Sequence, residues 1–153
     1  MRLVPCPAGA GSGEQWVREQ FVIEVKAYRR RHAHTATALI VVVDADTLSV
    51  DERLAQLDQN LEATQTDRIR LDEQIATLVP KRNVETWILC LNDVSVDEET
   101  DYKRSRKDWE TLVRSGSETL YHWTRPNAQP PPTCVPSLRL CVTSLARLDF
   151  RRS

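Results

Sequence analysis

Apolar residues recur along this chain at two different spacings, and the alternation between them predicts an α/β fold. Val17, Phe21, Val25 and Tyr28 fall on one helical face over residues 14–31, with Arg18, Lys26 and Arg30 on the other. Leu54, Leu57 and Leu61 repeat the pattern over residues 50–64, where Ser49 or Asp46 is placed to cap the helix. Val84, Trp87, Ile88 and Leu91 predict a third helix that starts at Asn83 as N-cap. Trp109, Leu112 and Val113 mark another over residues 106–114, broken by Gly116. Residues 120–123 form a small apolar anchor, residues 127–136 are proline-rich and extended, and Ser137 opens a last helix carrying Leu138, Cys141, Val142, Leu145 and Leu148.

Between the helical stretches lie unbroken apolar runs. Ala38-Leu39-Ile40-Val41-Val42-Val43 is rich in branched side chains and predicts a strand buried on both faces at the centre of a helix-covered sheet. Residues 73–79 predict a second strand, stopped by Pro80, which has no amide to offer a ladder. Leu3 to Cys6 is a short, strand-like stub. Residues 64–71 are a polar connector, and no internal repeat is present. A single domain over residues 1–150 with a tail at 151–153 is the expected organisation, since 153 residues suffice for one sizeable core.

The candidate chemistry sits where the first long run ends. Asp44 and Asp46 follow it one residue apart, at the carboxyl end of the predicted strand, where open α/β sheets place ligands. Two neighbouring carboxylates repel unless a cation lies between them, and hydrated Mg²⁺ suits such a pair. The plainer alternative is a strand-end turn whose Asp46 or Thr47 caps the next helix. Glu85, in the first turn of the third predicted helix, either caps free amides there or leans toward Asp44 and Asp46, with Lys81 and Arg82 close by for a phosphodiester. The turn containing Gly9, Gly11, Ser12 and Gly13 precedes the first helix, with Ser12 and Gln15 spaced as a capping box. It is either a phosphate-cradling loop or a simple strand-to-helix connection, and its spacing fits no nucleotide-binding fingerprint.

Net charge is −1, so global electrostatics select no partner, but the charge is clustered. Arg29-Arg30-Arg31 either complements the negative pole of the first helix or meets nucleic acid, and an acidic stretch at 93–101 precedes a basic one at 103–107. Both stretches read first as solvated surface, with Lys103 and Arg104 as candidate phosphate contacts. His32 and His34 are two histidines without a third ligand and read as loop residues. Cys6, Cys90, Cys134 and Cys141 lack metal-ligand spacing, so free thiols in a reducing cytoplasm are expected. No apolar run is long enough for a membrane span, and residues 1–6 are too short for a signal peptide.

In order, the glycine-rich turn, the strand ending Val43-Asp44-Ala45-Asp46, the run Pro80-Lys81-Arg82-Asn83-Val84-Glu85-Thr86-Trp87, Asp101-Tyr102-Lys103 and Pro136-Ser137-Leu138 resemble Toprim-like proteins. The group most similar is that of the RloB-like and overcoming-lysogenization-defect-like (OLD-like) nucleases of prokaryotic restriction and anti-phage defence. The resemblance implies a Rossmannoid, mostly parallel sheet with helices on both faces. It implies Mg²⁺ or Mn²⁺ held by Asp44 and Asp46, with Glu85 as a further ligand and Trp87 as a core anchor. Lys81, Arg82, Asn83, Lys103 and Arg104 would meet DNA or RNA, and the reaction would be metal-assisted attack of water on a phosphodiester. Toprim domains open with a strand ending in a glutamate, which has no counterpart before Leu3. The resemblance therefore leaves three alternatives: a start upstream of Met1, a sheet and site completed by another chain in a homo- or hetero-oligomer, or a degenerate Toprim domain that binds without cutting. The alternative is an inactive Toprim-like subunit that binds nucleic acid or scaffolds a defence complex beside an ABC- or SMC-type ATPase.

Overall fold

In a computed structural model, which describes residues 2–7 and 13–148, five helices surround a two-stranded parallel sheet. The elements are α1 (Gly13–His32), β1 (Leu39–Val42), α2 (Val50–Ala63), β2 (Ile75–Leu78), α3 (Val84–Leu91), α4 (Trp109–Trp123) and α5 (Pro136–Ala146). The mixed α/β class is as the periodicity predicts. β1 and β2 run in register from Leu39 opposite Ile75 to Val42 opposite Leu78.

Side chains alternate across a strand, and the alternation divides the core in two. Val41 and Val43 of the first strand segment join Ile75 and Val79 in a cluster with Phe21, Val22, Val25 and Tyr28 of α1 and Leu57 and Leu61 of α2. Ala76 and Leu78 point the other way, into a second cluster with Trp87, Cys90 and Leu91 of α3 and Leu138, Cys141 and Val142 of α5. Helices thus cover both faces of β2. β1 departs from expectation: Ile40 and Val42 are 45% and 47% exposed, because α3 and α5 cover only β2 on that face. The longest apolar run is therefore a sheet edge buried on one face, not a doubly covered central strand.

Local chemistry fixes the helix boundaries. Ser49, not Asp46, caps α2 in a full capping box, its hydroxyl accepting from the Glu52 amide at 3.1 Å while the Glu52 carboxylate accepts from the Ser49 amide at 2.7 Å. Asn83 caps α3 as predicted, but Val84 is exposed and the buried face instead runs through Thr86, Trp87, Leu89, Cys90 and Leu91. α4 passes straight through Gly116 as far as Trp123. There the glycine is buried, and a Cβ would stand 3.2 Å from Asn92 Nδ2 and 3.3 Å from Leu91 Cβ, so its lack of a side chain lets α4 pack onto the end of α3. α5 begins at Pro136, whose missing amide costs nothing in a first turn. Ser137 lies one residue further in, buried, its amide donating to Glu98 Oε1 at 2.9 Å. Leu3 to Cys6 carries no strand ladder, and the proposed Ser12 cap lies outside the described residues.

Arg29 has a structural use beyond the helix dipole. Its Nε and Nη2 donate to the two oxygens of buried Glu73 at 2.7 and 3.0 Å, and Nη1 and Nη2 donate to the carbonyls of Asp67 and Arg68. Glu73 Oε2 also accepts from the Arg70 amide, and the Tyr28 hydroxyl accepts from the Gln74 amide at 2.8 Å, so α1 fixes the start of β2. The hydrogen bond from Arg29, then that from the Arg70 amide, holds the Glu73 carboxyl below its ordinary value against the opposing effect of burial. A carboxylate whose pKa is depressed by folding stabilises the fold above its unfolded value and loses that contribution as pH falls through the folded one. Urea unfolding between neutral pH and pH 3 should show this acid-side loss, and Glu73→Gln should flatten it while lowering stability at neutral pH.

Cys90, Cys134 and Cys141 are buried free thiols and Cys6 is exposed. Burial first, then the neighbouring thiol, pushes Cys134 up to about 11 and Cys141 up to about 12, so both are protonated at neutral pH. Among the described residues no helix is long and apolar enough to cross a membrane.

Candidate functional site

The carboxyl ends of β1 and β2 are continued by two short backbone bonds, Val43 N to Leu78 O at 3.1 Å and Ala45 N to Pro80 O at 2.8 Å. These bonds hold residues 43–46 beside residues 79–82, so Asp44 and Asp46 stand next to the Pro80-Lys81-Arg82-Asn83 run as the strand-end reading requires. Ala45 is fully buried, while Asp44 is half-buried and Asp46 exposed. The two aspartates consequently face different surroundings.

Asp46 turns the chain. Its φ of 55° lies in the left-handed region, which aspartate tolerates better than most residues. Its Oδ1 accepts from Arg82 Nη1 at 3.0 Å, and its carbonyl accepts from Lys81 Nζ at 3.4 Å. Lys81 also lies 3.7 Å from Glu99 Oε1. The positive φ and the Arg82 pair direct Asp46 toward the β2 loop.

Asp44 is the electrostatically loaded residue. Burial raises its pKa above the ordinary aspartate value; the Lys103 ammonium opposes this, Glu85 and Asp46 add to it, and Arg53 opposes it. Glu85 acts from the first turn of α3 and Lys103 from the loop before α4, each through its charge. A carboxyl whose pKa is raised by folding destabilises the ionised native state, and that cost is relieved as pH falls through the folded value.

Arg53, which sequence reasoning passed over, supports this corner from beneath. It is 2% exposed on α2, and its Nε donates to the Asp44 carbonyl at 3.1 Å and its Nη2 to the Ala45 carbonyl at 3.2 Å. Gln56 Oε1 accepts from Nη1. The signal was available in the sequence, because Arg53 interrupts the buried side of α2 next to Leu54 and Leu57.

Asn83 is 1% exposed and fully employed within the fold. Its Oδ1 accepts from Thr86 N and Thr86 Oγ1 at 3.3 Å each, and its Nδ2 donates to Asp101 Oδ1 at 2.9 Å. Asp101 Oδ1 also accepts from the Lys103 amide at 3.0 Å, so Asn83 ties the α3 cap to the loop that carries Lys103. Lys103, Arg104, Arg106 and Lys107 are exposed, and none forms an ion pair among the described residues. Gly13 is the first residue of α1, whereas Gly9, Gly11 and Ser12 lie outside the described residues.

Among the described residues no three His, Cys, Asp or Glu side chains converge as a metal cage. Mg²⁺ keeps several waters and commonly takes only one or two carboxylates; Asp44 is half-buried, and exposed Asp46 pairs through one oxygen with Arg82 at 3.0 Å. The chain matches no protein-family model, no curated protein and no solved structure.

Proposed function

We propose that the chain is a Toprim-like nuclease, or the nuclease subunit of an anti-phage defence complex, that hydrolyses a phosphodiester of DNA or RNA at the carboxyl end of its sheet. The observation that carries this reading is the place of Asp44: a half-buried carboxylate just past β1, held beside the Pro80-Lys81-Arg82-Asn83 run by the bonds from Val43 N to Leu78 O and Ala45 N to Pro80 O. Asp44 and Glu85 hold Mg²⁺ or Mn²⁺ in this reading, and the ion supplies charge stabilisation for the transferring phosphoryl group when bound. Lys103 and Arg104 receive the phosphate backbone, Arg82 holds Asp46 and orients the turn, and Asn83 positions the Lys103 loop. A second reading, a non-cleaving nucleic-acid-binding or scaffold subunit working beside an ATPase, is favoured by the Asp46–Arg82 pair, in which Arg82 competes with a metal for one Asp46 oxygen.

Calorimetry of Mg²⁺ and Mn²⁺ binding tests the reading. The unaltered chain should bind, and Asp44→Asn should weaken binding by more than about tenfold, the least expected for a direct ligand. Because ionised Asp44 opposes folding, the same variant should unfold at an equal or higher urea concentration. Binding lost with stability retained supports the metal site and leads on to cleavage assays. Absence of binding in the unaltered chain overturns the autonomous nuclease and favours the scaffold.

A further inference from the structure

Among the described residues β1 is unpaired along one side, and the hydrogen bonds on its other side say which atoms are left. Leu39 N donates to Gln74 O at 2.9 Å and Val43 N to Leu78 O at 3.1 Å, so alternate residues face β2. Ile40 and Val42 therefore turn both their amides and their carbonyls outward. Nothing in the run Leu39-Ile40-Val41-Val42 blunts this edge: it has no proline, no charge and no bulge. A groove of about 670 Å³ follows it, walled by α1 through Trp16, Val17 and Phe21 and rimmed by Arg2, Leu3 and Val4.

Residues 2–7 are held at that rim without being paired. Arg2 Nη2 lies 3.2 Å from Glu24 Oε1 on α1, Leu3 is 76% exposed, and no backbone hydrogen bond joins this segment to β1. Leu3-Val4-Pro5-Cys6 is apolar and, at four residues, as long as β1.

We infer that the open edge of β1 is the seat of a strand, and that its occupant is this chain's own Leu3 to Cys6, added as a third parallel strand. Topology argues for it. The order β1, α2, β2 is a parallel crossover, and the stub, α1 and β1 repeat the same order. α1 and α2 pack on the same face of the sheet. Two crossovers of one hand with their helices on one face step in the same direction, which puts the stub on the side of β1 away from β2. That side is the groove.

The register follows from Pro5. An edge strand accepts proline only where its missing amide faces outward. Leu3 and Pro5 then face away from the sheet, and Val4 and Cys6 exchange hydrogen bonds with the outward atoms of β1. The seated strand ends at the same end of the sheet as Asp44 and adds a wall there, whether or not a metal binds.

Amide hydrogen exchange on the full chain, followed residue by residue by NMR, tests the inference. Ile40 and Val42 should exchange slowly, and Val4→Pro should speed both by at least about tenfold, the effect of losing one local closure. Leu39 and Val41 should stay protected in the same variant, which excludes general unfolding, and Leu3→Pro should change neither pair. Cross-strand contacts between Val4 and Ile40 or Val42 in the unaltered chain give the same answer without a variant. Ile40 and Val42 amides exchanging at the open rate would overturn the inference. So would protection that survives Val4→Pro and fades on dilution, which would assign the seat to a second copy of the chain.

Discussion

Replacing Trp87 by alanine should cost about 3–5 kcal/mol of unfolding free energy, the range for a fully buried aromatic truncated in a packed core. Trp87 is 5% exposed at the centre of the second core cluster, between Ala76 and Leu78 of β2 and Leu138 of α5. Its indole also does polar work, with Nε1 donating to Ser137 Oγ at 2.7 Å in the first turn of α5. Alanine removes the ring volume and leaves the Ser137 hydroxyl buried without that donor. Trp87→Phe keeps most of the apolar volume and loses the hydrogen bond, so it should cost only about 1–3 kcal/mol. Urea unfolding of both variants separates the two contributions, and equal losses would show that the hydrogen bond rather than the cavity dominates. Neither substitution touches the strand-end carboxylates, so any metal binding should persist while the chain remains folded.

Arg53→Met should cost about 2–4 kcal/mol, because the Asp44 and Ala45 carbonyls each lose a buried donor and such losses run at about 1–3 kcal/mol each, with partial relaxation. Methionine fills similar length without a charge, so the effect reports lost hydrogen bonding rather than lost volume. Arg53 also lies among the positive charges that lower the Asp44 pKa, and removing it should raise that pKa further. The Asp44 carboxyl resonance, followed by NMR against pH, should then titrate higher in Arg53→Met than in the unaltered chain. Arg53→Lys keeps the charge but has no planar fork to serve both carbonyls, so it should recover most of the titration and only part of the stability. If the titration is unmoved in Arg53→Met, Arg53 is purely a packing residue and the electrostatic link to Asp44 falls.

The two expected effects divide the molecule in a useful way. Trp87 ties α3 to α5 over β2, whereas Arg53 ties α2 to the turn that follows β1. Both arise where a polar atom is buried, and a buried polar atom must find a partner. The Asn83 to Asp101 bond belongs to the same class, since it connects the α3 cap to the loop bearing Lys103. The loop that carries Lys103 is thus tied to α3 by side-chain hydrogen bonds, whereas Lys81 and Arg82 follow a segment held by backbone bonds that continue the sheet.

By itself the sequence determined what local chemistry controls. The periodicity of Val17, Phe21, Val25 and Tyr28 located α1, the capping signals at Ser49 and Asn83 located the starts of α2 and α3, and the apolar runs ended by Asp44 and Pro80 located both strands. The position of Asp44 just past a strand end was legible for the same reason, since it follows from where an element stops. What tertiary structure decided were matters that depend on which neighbour arrives. A run of branched residues looks the same at the centre of a sheet and at its edge, and only the reach of α3 and α5 left Ile40 and Val42 half-exposed. Gly116 reads as a helix breaker in sequence, yet the close approach of Leu91 and Asn92 makes it a packing position inside α4. Arg29 reads as a helix-end or nucleic-acid charge until Glu73 comes within hydrogen-bond reach. Spacing along a chain encodes backbone geometry and the buried face of a helix, while sheet-edge exposure and charge pairing are set by residues distant in sequence.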